Sequence, residues 1–206
     1  MVSNKPAKKT RQQQKEETRI LVLKTARDLF LEQGYEKTTI RTIAQKAGIA
    51  TGTAFTHFPD KKSLLAATLY SGLEEALTQA MSFPPGSDVL EILIHQFQSI
   101  FTHFGKTPGL SKILISETLF LSGEWEDRLD MVRKRYTEAI QQMFTSMKSD
   151  DKLHENTDCR VLAEGVIHLY FSVLLLGLKE GRSPTEQTRQ LRMLVNCLLS
   201  GFLKKT

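Results

Sequence analysis

Apolar residues recur along this chain every three to four positions, which is the spacing of one face of an α-helix. Near the start, Val22, Ala26 and Phe30 share such a face, and Gly34 follows as a stop signal. This pattern predicts a first helix over about residues 18–33. The same spacing predicts eight further helices, over about residues 39–47, 50–57, 61–81, 88–103, 110–121, 124–148, 156–178 and 184–204.

Residues that favour helix ends separate these segments. Asp88 and Glu91 have the spacing of a capping box, and so do Ser183 and Glu186 before the last helix. Thr38 has the position of an N-cap for the second helix. The alternation typical of strands is almost absent. The sequence therefore predicts an all-α protein of about nine helices.

Charge is distributed unevenly along the 206 residues. Residues 1–62 contain 13 Lys and Arg against 6 Asp and Glu, a balance of +7, whereas the remainder contains 15 against 17, a balance of −2. A basic front part indicates a polyanionic partner for that part alone. We therefore divide the chain into a basic flexible arm (1–17), a small helical domain (18–60) and a larger helical domain (61–206).

The cysteines and the most apolar stretch indicate a cytoplasmic chain. Cys159 and Cys197 lie far apart within apolar patterns, without CxxC or metal-ligand spacing, so we expect reduced thiols. The polar start has no apolar segment of signal-peptide length. Glu164 and His168 interrupt residues 161–178, and we expect a buried core helix there, with no membrane partner.

The stretch AGIATGTAFTHFPDKKSLL, residues 47–65, places small residues between two short helices. Ala44 would let these helices cross closely, and Gly48 permits a tight turn between them. Ile49 and Phe55 are expected as buried anchors. This is a helix-turn-helix arrangement, in which the second helix enters a DNA major groove. Short helices around a glycine also occur in ordinary bundles, so both interpretations stay open on this pattern alone.

Together, the segments ARDLF and GYEKTTIRTIAQKAGIATGTAFTHFPDKKSLL and the all-helical remainder resemble the TetR family of bacterial transcriptional regulators. The resemblance is specific over about residues 19–66 and depends on length and helix count beyond them. It implies a three-helix DNA-binding head on a larger helical domain for ligand binding and dimerisation. It also implies a homodimer that binds an inverted-repeat operator, most often as a repressor released by a small molecule.

The resemblance implies DNA contacts on three helices. Thr39 matches a position that meets a phosphate, and Arg41 matches one that reaches a base or a phosphate. Lys61 matches the lysine of the F-P-x-K signature, which holds the DNA backbone. The alternatives are a capping role alone for Thr39, an exposed surface position for Arg41, a solvated helix start for Lys61 and a packed or solvated side chain for His57. The recognition helix supplies the remaining candidates, Ala50, Thr51, Gly52, Thr53, Phe55 and His57.

Two features of this DNA-binding part limit the contacts that it can make with DNA. Phe55 stands where the family usually has tyrosine, so a hydroxyl that can contact a phosphate is missing. The recognition helix also has no Arg, Asn or Gln, which leaves thymine-methyl contacts by Ala50, Thr51 and Ala54. The basic arm is most simply a disordered solubilising segment, and contact with a DNA groove or with phosphates is the alternative.

The larger domain holds 8 of the 11 phenylalanines. A plain packed core is one interpretation, and an apolar pocket with a few polar groups is the other. His103, Trp125 and His168 are the expected polar contacts for a small apolar or aromatic effector. The candidate ligand-binding residues are Phe97, Phe101, His103, Phe104, Trp125, Tyr136, His168 and Phe171.

The last two predicted helices, 156–178 and 184–204, carry apolar residues on nearly every side. Such a helix must be covered on every side. One side can face the core of its own chain and the other a second copy of the chain. The sequence therefore predicts a homodimer with a two-fold, four-helix interface.

Enzyme signatures are missing from the sequence. It contains no HExxH, G-x-S-x-G, P-loop, dinucleotide fingerprint or zinc cluster, so we predict no enzymatic activity, cofactor or metal. The competing function keeps the DNA-binding head but replaces the small molecule by a protein partner, or makes the dimer a nucleoid organiser. A cavity of a few hundred Å³ favours the ligand-sensing regulator, and a closed interior favours the alternative.

Overall fold

The structure, a computed structural model, describes residues 10–80, 88–119 and 123–204. Within these ranges the chain forms nine α-helices, and its β-structure is confined to one isolated bridge between Leu153 and Leu203. The prediction of an all-α protein is confirmed. The helices are α1 (Arg11–Gln33), α2 (Ile40–Lys46), α3 (Thr51–His57), α4 (Lys61–Ala80), α5 (Val89–Gly105), α6 (Pro108–Thr118), α7 (Glu124–Ser149), α8 (Cys159–Glu180) and α9 (Pro184–Ser200).

The first helix begins earlier than predicted. Thr10 and Gln13 form a reciprocal capping box, because the Gln13 backbone N–H donates to the Thr10 hydroxyl at 3.2 Å and the Thr10 N–H donates to the Gln13 side chain at 2.9 Å. The predicted flexible arm is therefore wrong for residues 11–17, which are helical. Residues 1–9 of that arm lie outside the described residues.

The N-cap predicted for the second helix is also wrong by one residue. Thr39 caps α2, since its hydroxyl accepts the Thr42 backbone N–H at 3.1 Å and the Thr42 hydroxyl accepts the Thr39 N–H at 3.0 Å. Thr38 is fully buried, and its hydroxyl donates to the carbonyl oxygen of Gly34 at 2.8 Å. Thr38 therefore closes the turn between α1 and α2 instead of capping the helix.

The other predicted capping boxes have different outcomes. Asp88 caps α5 by accepting the Leu90 N–H at 2.8 Å, but Glu91 forms an ion pair with Arg192 of α9, so the predicted Asp88–Glu91 box is wrong. A long charged side chain can leave its own turn when an opposite charge lies nearby. At α9 the Ser183 capping box is present as predicted.

The chain divides into two compact units, Met1–Thr68 and Leu69–Thr206, and the division falls inside α4. In the described part of the first unit, Val22 and Ile43 are fully buried members of the core. In the second unit α5 packs on α9 and α7 packs on α8, around a core that includes Phe97 and Phe144. The assignment of DNA binding to residues 18–60 and of ligand binding and dimerisation to residues 61–206 stays a prediction.

Candidate nucleic-acid interface and internal cavity

The turn between α2 and α3 has the geometry that its small residues predict. Gly48 has φ of 68°, in the left-handed region that side-chain-bearing residues rarely adopt. The Ile49 N–H donates to the carbonyl oxygen of Ala44 at 3.0 Å and closes the turn. Ala44 forms a buried cluster with Ile40 and Ala54, on which Ile49 packs. Because both alanines are small, α2 and α3 lie close together, as in a helix-turn-helix.

The recognition helix α3 leaves a continuous face exposed. Ala50 is its N-cap, Gly52 and Thr53 are exposed, and Thr51 is half-buried. Phe55 is 49% exposed, so its prediction as a buried anchor is wrong. It follows the inward-facing Ala54 by one residue, which turns its side chain by roughly 100° away from α2. The exposed ring is instead available to a thymine methyl or a sugar.

Lys61 is held by contacts within its own unit. Its ammonium group donates to the carbonyl oxygens of Tyr35 at 3.0 Å and Glu36 at 3.4 Å. It also lies over the ring of Tyr35, a cation–π contact. Lys61 therefore links the first turn of α4 to the loop between α1 and α2. Arg41, by contrast, is exposed on α2, two residues after the cap Thr39.

His57 lies half-buried in the last turn of α3. Burial lowers the pKa of its imidazole, and the positive charges of Lys15 and Arg19 on α1 lower it further, against a smaller opposite effect of Glu16. His57 is therefore neutral at pH 7 in the protein alone. The early turns of α1 are thus near the end of the recognition helix.

The second unit contains a cavity of about 340 Å³. Its walls come from α4, α5, α6, α7 and α8, together with Leu119, and they are mainly apolar. A neighbouring cavity of about 410 Å³ shares Leu77, Val132 and Tyr136 with it. The polar side chains at the first cavity are Asp130, Arg133, Tyr136 and Tyr170.

Two tyrosines give this cavity its chemistry. The rings of Phe97 and Tyr170 stack with their centroids 4.6 Å apart, and Tyr136 lies 6.2 Å from the same phenylalanine. The Tyr136 hydroxyl is buried and makes no hydrogen bond to any residue that the structure describes. Burial raises the pKa of both tyrosines above the ordinary range, so both keep their protons at neutral pH. Tyr136 is therefore a donor without an acceptor.

The comparisons with known proteins agree with the helix-turn-helix geometry. Residues 22–68 match the family described as bacterial regulatory proteins, tetR family. Over these residues the chain belongs to the TetR family. This TetR-family chain is 25% identical over 183 residues to the HTH-type transcriptional repressor KstR of Rhodococcus jostii, an alignment covering 89% of this chain and 83% of that protein. It is a TetR-family transcriptional regulator.

Solved structures show the same fold. A TetR-family transcriptional regulator from Pectobacterium atrosepticum has a TM-score of 0.72 at 22% identity, and covers 96% of this chain and 99% of its own. The Thermus thermophilus repressor FadR, solved in complex with lauroyl-CoA, has a TM-score of 0.67 at 22% identity, and covers 91% of this chain and 96% of its own. At these identities the likeness is one of fold.

The structure of this TetR-family regulator divides the predicted ligand-binding residues. Phe97, Phe104, Tyr136 and Phe171 line the cavity of about 340 Å³. The other four are not among its lining residues. Phe101 is fully buried against Tyr170, His103 lies against Gly72, Trp125 packs on Tyr70 and Arg128, and His168 is exposed on α8.

The polar groups expected at the cavity were therefore the wrong ones. The predicted polar contacts were His103, Trp125 and His168. The polar side chains at the cavity are Asp130, Arg133 and Tyr170, together with Tyr136, which was predicted as a ligand-binding residue. It also missed Leu69, Leu73 and Leu77 of α4, whose spacing of four residues puts them on one helix face. That spacing was a usable signal.

The outer faces of α8 and α9 expose several apolar side chains among polar ones. Along α8, Val161, Ser172 and Leu175 recur on one side, and Val161 is 61% exposed. Met193 on α9 is 68% exposed. By length and composition alone α8 could cross a membrane, and 44% of its most apolar window is buried in the chain. The helix is thus a core helix on one side only. In the part of the chain that the structure describes, no cluster of three potential metal ligands occurs.

Proposed function

We propose that this regulator is a homodimeric repressor that binds an inverted-repeat operator and is released by a small apolar effector. The observation that carries this proposal is the cavity of about 340 Å³ with mainly apolar walls. A closed interior would have favoured regulation by a protein partner. The names of two similar proteins support the proposal, since KstR is a repressor and FadR was solved with lauroyl-CoA.

The exposed face of α3 is proposed to read the operator in the major groove. Gly52 and Thr53 present little side-chain bulk there, which lets the helix backbone approach the bases. On α2, Thr39 is proposed to meet a phosphate and Arg41 a guanine edge or a phosphate. His57 and the remaining α3 residues complete this surface. The chain is proposed to act in the cytoplasm, where its operator is accessible.

A second copy of the chain is proposed to cover the exposed faces of α8 and α9. Exposed apolar side chains such as Val161, Leu175 and Met193 are stabilised when a partner covers them. Two-fold packing would place two recognition helices on one duplex, with half-sites about 34–36 Å apart or a multiple of that spacing. The predicted four-helix interface of residues 156–178 and 184–204 is retained in this proposal.

The effector is proposed to act through α4. This helix begins at Lys61 in the first unit and contributes Leu69, Leu73 and Leu77 to the cavity wall in the second. An effector that displaces α4 would change the separation of the paired recognition helices and lower operator affinity. Thermodynamic linkage requires that the operator weaken effector binding by the same factor.

The test selects the operator from a pool of random duplexes and then measures the linkage. We expect the selected duplex to have dyad symmetry. A compound that raises the melting temperature of the protein then serves as the effector. We expect the effector to weaken operator binding by the same factor by which the operator weakens effector binding. Equal effector affinity with and without operator overturns the coupling. Binding without dyad symmetry favours the nucleoid organiser.

A further inference from the structure

The first two turns of α1 are exposed to solvent on every face. Residues 10–17 are exposed in all positions, yet the capping box between Thr10 and Gln13 fixes the start of the helix. Helices in proteins derive most of their stability from a buried face. A capped extension without one is available for contact with another molecule.

Cations recur along this extension at the spacing of one helix face. Arg11, Lys15 and Arg19 follow each other every four residues, so their side chains lie above one another. The guanidinium carbon of Arg19 lies 5.8 Å from the ring centroid of Phe58, the C-cap residue of α3. The basic face of α1 therefore adjoins the end of the recognition helix.

The electrostatics of His57 agree with this geometry. After burial, the charges of Lys15 and Arg19 are the next largest causes that lower its pKa, so both cations act on the last turn of α3. Arg19 also pairs with Glu16 at 3.2 Å, but the Arg19 side chain is 31% exposed and the Glu16 side chain 54%. An exposed pair of this kind is weak and exchanges readily for a phosphate.

We propose that Lys15 and Arg19 form a second phosphate-binding site for the operator duplex, beside the end of α3. The proposal rests on the proposed function, because it takes the duplex on α3 as given. Lysine binds a phosphate as a point charge, and arginine binds it through two parallel N–H groups. Such contacts fix the position of the protein on the duplex without reading its sequence.

The test measures how operator affinity falls with salt. Each neutralised phosphate contributes about 0.9 to the slope of log affinity against log salt on duplex DNA. Because each subunit of the proposed dimer carries one such site, we expect Lys15→Gln to lower that slope by about 1.8, so that the loss of affinity between 50 and 200 mM salt becomes roughly 12-fold smaller. Arg19→Gln is expected to act in the same direction, and Arg19→Lys to restore most of the slope.

Lys24→Gln is the matched control. Lys24 is exposed on α1 nine residues after Lys15, which is two and a half turns and therefore the opposite side of the helix. The Lys24→Gln substitution removes the same charge as Lys15→Gln, and we expect the salt dependence of its operator affinity to equal that of the wild-type protein. Circular dichroism checks that all variants fold.

Each outcome decides between the two proposals. If no duplex is selected by the wild-type protein, the proposed function fails. If the wild-type protein binds its duplex and Lys15→Gln leaves the slope unchanged, the α1 site is overturned while the proposed function stands. An equal decrease for Lys15→Gln and Lys24→Gln also overturns it, because a general charge effect would then explain both.

Discussion

The ammonium group of Lys61 lies 3.0 Å from the carbonyl oxygen of Tyr35 and 4.1 Å from the centroid of that residue's ring. One cation thus donates to a carbonyl oxygen in the loop after α1 and lies over the aromatic ring of the same residue. The resemblance implied that Lys61 holds the DNA backbone. The contacts within the chain indicate that it positions the loop leading to Thr39 and α2.

This relationship predicts the effect of Lys61→Met. The variant keeps the length of the side chain but loses the charged hydrogen bond and the cation–π contact, and we expect it to destabilise the fold by about 1–2 kcal/mol. Urea unfolding measures the change, with Lys24→Met on α1 as an exposed lysine control. Unchanged stability together with a salt slope lower by about 1.8, one contact from each subunit of the dimer, would show instead that the ammonium binds a phosphate.

Gly52 predicts opposite effects on folding and on DNA binding. A Cβ added at Gly52 meets no atom within 4 Å in the free protein. Gly52→Ala should therefore stabilise α3 by about 0.5–1 kcal/mol, the helical preference of alanine over glycine. If α3 approaches the bases closely, the same methyl group weakens operator binding. Thermal unfolding and an operator titration on one preparation measure both effects, and tighter binding would contradict the close approach.

Phe55 lies on the same exposed face, 49% accessible, where the family usually has tyrosine. Phe55→Tyr adds a hydroxyl that can donate to a phosphate oxygen. We expect operator affinity to rise by up to about 1 kcal/mol, the net value of one hydrogen bond. The stability of the fold should change little, since the ring is exposed. A titration that shows equal or weaker affinity would place no phosphate within reach of residue 55.

The longer helices were predictable because apolar residues recur on a buried face over two or more turns, as in α1 and α5. The ends of the helices were less predictable, since neighbouring residues can each serve as the cap. Thr38 and Thr39 are both good caps, and only the packed turn shows that the Thr38 hydroxyl is taken by Gly34. At α1 the helix starts earlier than predicted. Thr10 and Gln13 have the spacing of a capping box, but they lie in a basic stretch that was predicted to be flexible.

The candidate sites show the same limit. Phe55 was misplaced because α3 spans only Thr51–His57, too short for periodicity to define a buried face. In the larger unit, four of the five aromatic residues that line the cavity were predicted, all but Tyr170. The packing of α8 against α5 and α7 decides which of its sides faces the cavity. As a result Tyr170 lines the cavity and His168 is exposed on the other side.

The buried Tyr136 hydroxyl predicts a stabilising substitution. It has no hydrogen-bond partner among the described residues, so the fold carries the cost of its desolvation. Tyr136→Phe should stabilise the effector-free protein by about 1 kcal/mol, which corresponds to roughly 2–4 °C in Tm for a chain of this size. An effector whose acceptor binds this hydroxyl should bind the variant more weakly.

Tyr70→Phe is the control for this substitution. The Tyr70 hydroxyl is hydrogen-bonded to Glu74. Its removal should leave stability equal or lower, in contrast to Tyr136→Phe. Calorimetry of both variants without effector makes the comparison. A lower Tm for Tyr136→Phe would show that its hydroxyl is already satisfied in the free protein.

The exposed face of α8 predicts that one charge separates the dimer. Leu175 is 36% exposed in the chain and lies on the side that carries Val161 and Ser172. At a two-fold interface, Leu175→Arg brings two buried cations together, and their desolvation opposes association. Leu31→Arg is the control, since Leu31 is 47% exposed on α1 of the other unit.

Sedimentation should show a dimer for the wild-type protein and Leu31→Arg, and a folded monomer for Leu175→Arg. Operator affinity should fall with the dimer, because a single recognition helix reaches only one half-site. A wild-type protein that sediments as a monomer would contradict the interface, and with it the inverted-repeat operator.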